Sequence, residues 1–150
     1  MNEEQLPQTM LLVGVGGIGT QLAELLVAAL RRVNLRGDIT LMDADIVEAS
    51  NLGHQRFTAE DVGRPKVVSL AQRLDDEASA LRVNAVVENL RREEQVTGYD
   101  LVVVCVDRPE PRRLVHGLDT RWLDVRCSGD GWMASVSYTH LRAHETTDNL

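Results

Sequence analysis

"MLLVGVGGIG", residues 10–19, places a run of apolar side chains directly before a cluster of glycines. The apolar run Met10–Val15 has the length of a short buried strand. Glycines allow the backbone to turn tightly and to approach a ligand closely, and the start of a helix offers unpaired N–H groups to an anion. The stretch therefore predicts a strand, a phosphate-binding turn and a helix. The glycines of the turn are Gly14, Gly16, Gly17 and Gly19.

The rest of the chain continues this alternation of strand and helix. We expect the first helix to bury a stripe whose members recur every three or four residues, namely Ile18, Leu22, Leu25 and Ala29. Further apolar runs predict strands at Gly37–Asp43, Arg82–Asn89, Tyr99–Asp107 and Trp122–Gly129. Helical patterns lie between them, one beginning near Pro65 and one in "PEPRRLVHGLD". This order predicts an α/β fold that is Rossmann-like and doubly wound, with a mainly parallel sheet and helices on both faces.

Composition limits the classes of function. The chain has 150 residues and a formal net charge of −7, which argues against a nucleic-acid or anionic membrane partner. The apolar stretch Leu22–Leu30 is too short to cross a bilayer and contains Glu24. Two cysteines, Cys105 and Cys127, make neither a disulfide framework nor a CxxC pair. We therefore expect a protein of the reducing cytoplasm, without nucleic acid or membrane as partner.

Three polar stretches follow predicted strands: Gly14–Gly19, Asp43–Arg56 and Asp107–Arg108. In a parallel doubly wound sheet the ligand lies outside the carboxyl ends of the strands, so these stretches should converge. An acidic residue at the end of the second strand, here Asp43, is well placed to accept from a ribose hydroxyl. To this point an NAD(P)-dependent oxidoreductase explains the pattern as well as any other nucleotide-binding protein does.

The segment that follows Asp43 favours one family. The motifs are GVGGIG, then DADIVEASNLGHQ at Asp43–Gln55, VGRPK at Val62–Lys66 and CVD at Cys105–Asp107. In this order they resemble the ThiF/MoeB/HesA superfamily of activating enzymes, which are relatives of the ubiquitin-activating enzymes. The resemblance covers about residues 10–134.

The resemblance implies an ATP-dependent adenylyltransferase that uses Mg²⁺. Its substrate would be the C-terminal carboxylate of a ubiquitin-like or sulfur-carrier protein, and its product an acyl-adenylate. Members of the superfamily are commonly dimers, so a homodimer is expected of the full-length protein. Their thioester cysteine and paired CxxC zinc motifs lie further downstream, so zinc is expected only in a C-terminal region that this chain lacks.

The resemblance also implies which side chains hold the nucleotide. Lys66 would reach the phosphates as a flexible point charge, and Asn51 would donate to a phosphate oxygen. Asp107 would hold Mg²⁺ directly or through water, and Asp43 would bind the ribose. The remaining expected contacts with the nucleotide or its loop come from Gly14, Gly16, Gly17, Gly19, Asp45 and Ser50.

Each polar assignment has a plainer alternative. Lys66 could be a solvated helix residue. Asp107 could cap the helix that begins near Pro109, since aspartate is a favoured cap. Ser50 and Asn51 could simply form a turn.

One position departs from the family pattern, which normally has arginine where this chain has His54. Histidine offers fewer donors than arginine and is not permanently charged. Arg56, two positions on, is our candidate for the missing catalytic charge. If it does not supply that charge, a non-catalytic ATP-binding relative is the alternative.

The C-terminal segment "VSYTHLRAHETTDNL", residues 136–150, requires a separate interpretation. A polar tail or a metal site on His140, His144 and Glu145 would explain its composition. However, Val136–Glu145 reads as a translation of a common transposase-type sequencing adapter. We therefore expect residues 136–150 to be a disordered artefact, and residues 1–135 to be a truncated nucleotide-binding domain of the ThiF type.

Overall fold

The computed structural model describes residues 6–128 and 131–137, and within these residues six strands form one sheet. The elements in chain order are β1 (Thr9–Val13), α1 (Gly17–Arg32), β2 (Gly37–Met42), α2 (Lys66–Leu74), β3 (Leu81–Val86), β4 (Leu101–Val104), α3 (Pro109–His116), β5 (Arg121–Ser128) and β6 (Gly131–Val136). The spatial order is β3-β2-β1-β4-β5-β6. Strands β1 to β5 are parallel, and β6 pairs antiparallel with β5. The predicted fold class is confirmed.

The central strand β1 buries both of its faces. Met10 and Leu12 pack with side chains of α1 and α2 on one side of the sheet. Leu11 and Val13 point to the other side and pack with Val115 of α3. Alternate residues of a strand face opposite sides, and all four of these β1 side chains are buried. The continuous apolar run is thus explained by helices on both faces, as predicted.

The face that α1 presents to the sheet differs from the predicted one. Its fully buried residues are Gly19, Thr20, Ala23 and Val27, whereas Leu25 is 70% exposed and Ala29 is also exposed. The cause is the tight contact between Gly19 and the carbonyl group of Gly14. That contact turns the Gly19 side of the helix inward, and Ala23 and Val27 follow at intervals of one turn.

None of the helices in the described part of the chain is both long enough and apolar enough to cross a bilayer.

The strands also differ from the predicted ones in their ends and in their number. The predicted strands Met10–Val15 and Tyr99–Asp107 are observed as Thr9–Val13 and Leu101–Val104, because the residues after each of them turn into loops at the carboxyl edge of the sheet and Tyr99 and Asp100 precede the sheet. Strand β6 was not predicted. Its last residue, Val136, begins the segment with the adapter-like sequence, and Ser137 hydrogen-bonds with Trp122. Residues 138–150, including His140, His144 and Glu145, lie outside the described residues, and their adapter origin stays a prediction.

The contact of α1 with the glycine turn gives a stability test. A Cβ atom at Gly19 would overlap the carbonyl oxygen of Gly14, whereas a Cβ at Gly53 would meet no atom within 4 Å. We expect Gly19→Ala to lower the free energy of unfolding by about 3 kcal/mol or more, because two backbone segments must move apart. Gly53→Ala is the matched control and should change it by less than about 0.5 kcal/mol. Urea unfolding measures both, and equal midpoints for the two variants would contradict the proposed constraint.

Candidate functional site

A cleft of about 690 Å³ opens at the carboxyl edge of the parallel strands. It lies beside the point where the order of connections reverses, between β1 and β4, which is where open α/β sheets bind ligands. Its lining includes Gly14, Gly16, Gly17, Asp43, Asp45, His54, Gln55, Lys66, Arg91, Cys105, Asp107, Arg108 and Cys127. All three predicted polar stretches therefore contribute to one cavity.

The glycines of the turn serve two different purposes. Gly14 has φ +92°, and a Cβ there would lie 2.7 Å from a methyl carbon of Val106, so the packing of the protein itself requires glycine at this position. In contrast, the nearest atom to a Cβ at Gly16 would be 3.9 Å away, and at Gly17 it would be 3.5 Å away. Since both of these residues line the cleft, side chains there would occupy space that is open to a ligand.

The N-terminus of α1 points its unpaired amides at this turn. The first N–H groups of a helix lack intrahelical acceptors, and no side chain among the described residues caps α1 at Gly16. Its first turn also contains no acidic residue. The positive end of the helix dipole is therefore left for an external anion.

Asp43 connects the glycine turn to the end of β2. Its Oδ2 accepts from the N–H of Val15 and its Oδ1 from the N–H of Asp45, both at 2.9 Å. An ionised carboxylate has about four acceptor positions, so each oxygen keeps capacity for a further donor. The geometry fits the predicted role of Asp43 as an acceptor for ribose hydroxyls.

Lys66 is the only lysine of the chain and is 6% exposed. Its backbone N–H donates to the carbonyl of Asp45 at 2.9 Å, and its Nζ lies 3.5 Å from Oδ2 of the same residue. Lys66 lines both the main cleft and an adjoining cavity of about 360 Å³. A buried ammonium with three donors and one long contact can still bind an anion. The alternative of a solvated lysine does not fit this burial.

Asp107 is exposed at the cleft. The cap position of α3 is Arg108 instead, and no side-chain hydrogen bond caps this helix within residues 6–128 and 131–137. The carboxylate of Asp107 is thus not engaged in capping. The described residues hold no group of three or more His, Cys, Asp or Glu side chains that could bind a metal. A magnesium ion here would therefore take one ligand from Asp107 and others from water and phosphate, as this ion prefers.

The structure does not bring four of the predicted residues into the main cleft: Gly19, Ser50, Asn51 and Arg56. Asn51 lines the smaller cavity, but its Oδ1 accepts from the N–H of Glu48 at 2.9 Å in a short 3-10 turn, Ala49–Asn51. Ser50 contacts Glu48 in the same turn. These contacts favour the turn alternative for Ser50 and explain the orientation of the Asn51 side chain.

Arg56, the candidate for the missing charge, forms an ion pair with Glu24 on the outside of α1. His54 instead lines the cleft itself, so the residue at the divergent position lies closer to the candidate site than Arg56 does.

The cleft also contains polar side chains to which the sequence analysis assigned no individual role. Gln55 places its amide over Gly16, and its Oε1 is buried without a hydrogen-bond partner among the described residues. Arg91 and Arg108 line the cleft beyond the ends of β3 and β4. Their positions just after predicted strands were the available signal, because strand ends meet at this edge.

The comparisons with known proteins indicate the same family as the sequence motifs do. The profile of the ThiF family matches residues 4–123. Over 112 residues the chain is 37% identical to a sulfur carrier protein adenylyltransferase of Thermus thermophilus, covering 72% of this chain and 40% of that protein. Over 111 residues it is 32% identical to the molybdopterin-synthase adenylyltransferase of Escherichia coli, covering 71% and 43%. The chain thus spans less than half the length of these two relatives.

Solved structures support the fold. The crystal structure of Escherichia coli MccB with ATP superposes with a TM-score of 0.67 at 24% identity, covering 79% of this chain and 36% of that one. PaaA superposes with a TM-score of 0.65 at 22% identity, covering 81% and 39%. At these identities the likeness concerns the arrangement of strands and helices.

The two cysteines of the cleft should differ in reactivity. Burial and, to a smaller extent, the charge of Asp124 raise the pKa of Cys105 to about 12, so its thiol is almost entirely protonated, and hence a poor nucleophile, near neutral pH. Cys127 is exposed. At about pH 8, iodoacetamide should modify Cys127 and leave Cys105 unmodified, as measured by peptide mass spectrometry. Denatured protein, in which both should react, is the control, and rapid labelling of Cys105 in the folded protein would contradict its burial.

Proposed function

The chain belongs to the ThiF family, and from this premise we propose that it is the nucleotide-binding part of an ATP-dependent adenylyltransferase. Its substrate would be the C-terminal carboxylate of a ubiquitin-like or sulfur-carrier protein. One observation carries the proposal: the buried ammonium of Lys66, the open glycine turn and the carboxylates of Asp43 and Asp107 line a single cleft. That combination suits a charged nucleotide.

In the proposed reaction a carboxylate oxygen of the carrier protein attacks the α-phosphorus of ATP. The bond from that phosphorus to the oxygen bridging the α- and β-phosphates breaks, and pyrophosphate leaves with the electron pair. Such transfers are catalysed mainly by positioning and by neutralising charge. Here the amides of the glycine turn and the N-terminus of α1 would bind the phosphates, Lys66 would neutralise charge on them, and Asp43 would fix the ribose.

Magnesium is part of the proposal, with Asp107 as its one protein ligand. The ion would supply positive charge to the phosphate oxygens. The chain itself supplies an exposed carboxylate at the edge of the cleft, close in sequence to Arg108. Arg108 would then face the same phosphates from the end of β4.

The partner and setting are proposed from the relatives. Their names specify sulfur carrier proteins and molybdopterin synthase as what they adenylylate, and we propose a carrier protein of this kind for the present chain. We also propose a homodimer for the full-length protein, because members of the superfamily it resembles are commonly dimers. The reducing cytoplasm would keep Cys105 and Cys127 as thiols.

Calorimetry with ATP, with and without Mg²⁺, tests the site directly. We expect Lys66→Ala to weaken MgATP binding at least about tenfold, because a hydrogen bond to a charged group is lost from a desolvated position. The control is Arg36→Ala, which removes an exposed cation before β2, at the opposite edge of the sheet.

Because Lys66 is the only lysine, an amine-reactive reagent should label it, apart from the N-terminal amine, and ATP should protect it. Selective binding of NADH, or ATP binding that Lys66→Ala leaves intact, would refute the proposed site.

The divergent position gives a second test. His54 lines the cleft whereas Arg56 is paired with Glu24, so a guanidinium at position 54 should reach the phosphates. We expect His54→Arg to strengthen MgATP binding by about tenfold, the effect of a charge-assisted hydrogen bond. Gln21→Arg adds the same charge at an exposed position of α1 outside the cleft lining and serves as control. No difference between the two variants would show that position 54 does not contact the nucleotide.

A further inference from the structure

Arg73, near the C-terminal end of α2, joins three parts of the molecule. Its Nη2 donates to Glu24 of α1 at 3.1 Å and to the carbonyl oxygen of Arg56 at 2.7 Å. Its Nη1 lies 3.9 Å from Oδ2 of Asp61, in the 3-10 turn Ala59–Asp61. Glu24 also pairs with the guanidinium of Arg56. We refer to Glu24, Arg56, Asp61 and Arg73 as the Arg73 cluster.

The Arg73 cluster is partly withdrawn from water. The side chains of Glu24 and Asp61 are 23% and 11% exposed, whereas those of the two arginines, Arg73 and Arg56, are 36% and 59% exposed. Burial by itself would raise the pKa of Asp61, but hydrogen bonds from Thr58 and Ser69 and, to the smallest extent, the charge of Arg73 hold it below its usual value. A single surface ion pair, screened by water, would contribute little to stability. A guanidinium that contacts two carboxylates and a carbonyl oxygen at once restrains the positions of all three groups.

Helices α1 and α2 and the segment that contains Arg56 all contribute residues to the lining of the cleft, whereas the turn Ala59–Asp61 does not. Helix α1 begins at the glycine turn and α2 begins at Lys66. Glu24 and Arg73 lie about two helical turns, roughly 10 Å, beyond those starting points. The third part is the segment 52–58, which holds Gln55 over Gly16 and the carbonyl of His54 beside Gly17.

We propose that Arg73 is a positioning residue that fixes segment 52–58 against the two helix N-termini, and thereby sets where His54 and Gln55 stand over the phosphate-binding turn. This inference rests on the proposed function, in which the cleft binds ATP. Arg73 does not line the cleft, so it acts through the loop and not on the ligand.

Arginine suits this role better than lysine. Its planar group presents donors in fixed directions and can reach a carboxylate and a carbonyl at once, whereas an ammonium is a compact point charge. The loop has a separate anchor in Phe57, which is 6% exposed in the core. Loss of Arg73 should therefore change the position of the loop while the fold persists.

The experiment compares Arg73→Gln, Arg73→Lys and Glu24→Gln with Arg82→Gln. Arg82 is the matched control, since its side chain is 42% exposed and, among the described residues, its hydrogen bonds go to Asp75 and the carbonyl of Asp76 and not to α1 or the loop. Two quantities are measured on the full chain: the MgATP dissociation constant by calorimetry, and the hydrogen-exchange rate of backbone amides in residues 52–58 without nucleotide.

We expect Arg73→Gln and Glu24→Gln to raise the dissociation constant about tenfold and to speed exchange in residues 52–58 by a similar factor. Arg73→Lys should recover less than half of the MgATP affinity and less than half of the protection from exchange that Arg73→Gln loses. Arg82→Gln should match the wild type in both measurements, and the thermal midpoints of Arg73→Gln and Arg82→Gln should agree within about 4 °C.

Unchanged loop exchange in both Arg73→Gln and Glu24→Gln would overturn the positioning role, as would full rescue by lysine. If Arg82→Gln raised the dissociation constant and sped loop exchange as much as Arg73→Gln does, the effect would be a general one of losing a surface ion pair. That result would also overturn the positioning role. If the wild type binds no ATP, the proposed function fails, and the exchange comparison alone decides whether Arg73 orders the loop.

Discussion

The close contact between the first turn of α1 and the carbonyl group of Gly14 determines much of the rest of the structure. Only glycine fits at position 19, because any Cβ would overlap that carbonyl. The contact fixes the direction in which α1 leaves the sheet, and hence where its unpaired amides point. It also fixes which residues of α1 face the core, since Ala23 and Val27 follow Gly19 on the same side. A binding feature and a packing feature therefore have one physical origin.

The charges of the cleft are arranged around this constraint. Asp43 accepts from Val15 and Asp45, so one carboxylate holds the glycine turn and the start of the next loop together. Asp45 in turn accepts from the backbone of Lys66, which begins α2. A chain of hydrogen bonds thus runs from the glycine turn to the backbone of Lys66 at the start of α2. The Arg73 cluster joins the same two helices farther from the cleft. Both helices are therefore restrained at their N-termini and again about two turns farther along.

The sequence predicted the fold class and the convergence of polar stretches, because both follow from the alternation of apolar runs and from parallel pairing. It did not predict the inward face of α1. That helix has leucine, valine or alanine on most sides, and the deciding contact involves a glycine, which carries no hydrophobic signal. Strand β6 was missed because its apolar residues Trp132 and Met133 are both exposed. The sequence also did not predict that Arg56 pairs with Glu24 outside the cleft lining, because the two residues are distant in sequence.

The glycine motif itself carries two kinds of information, and the structure separates them. Gly14 and Gly19 are required by contacts within the protein, so any fold with this strand–turn–helix geometry would need them whether or not it bound a nucleotide. Gly16 and Gly17 have no such contact and line the cleft, so a small side chain there would cost the protein little packing. The features that favour a phosphate ligand are therefore these two glycines, the uncapped helix and the buried Lys66, and not the motif as a whole.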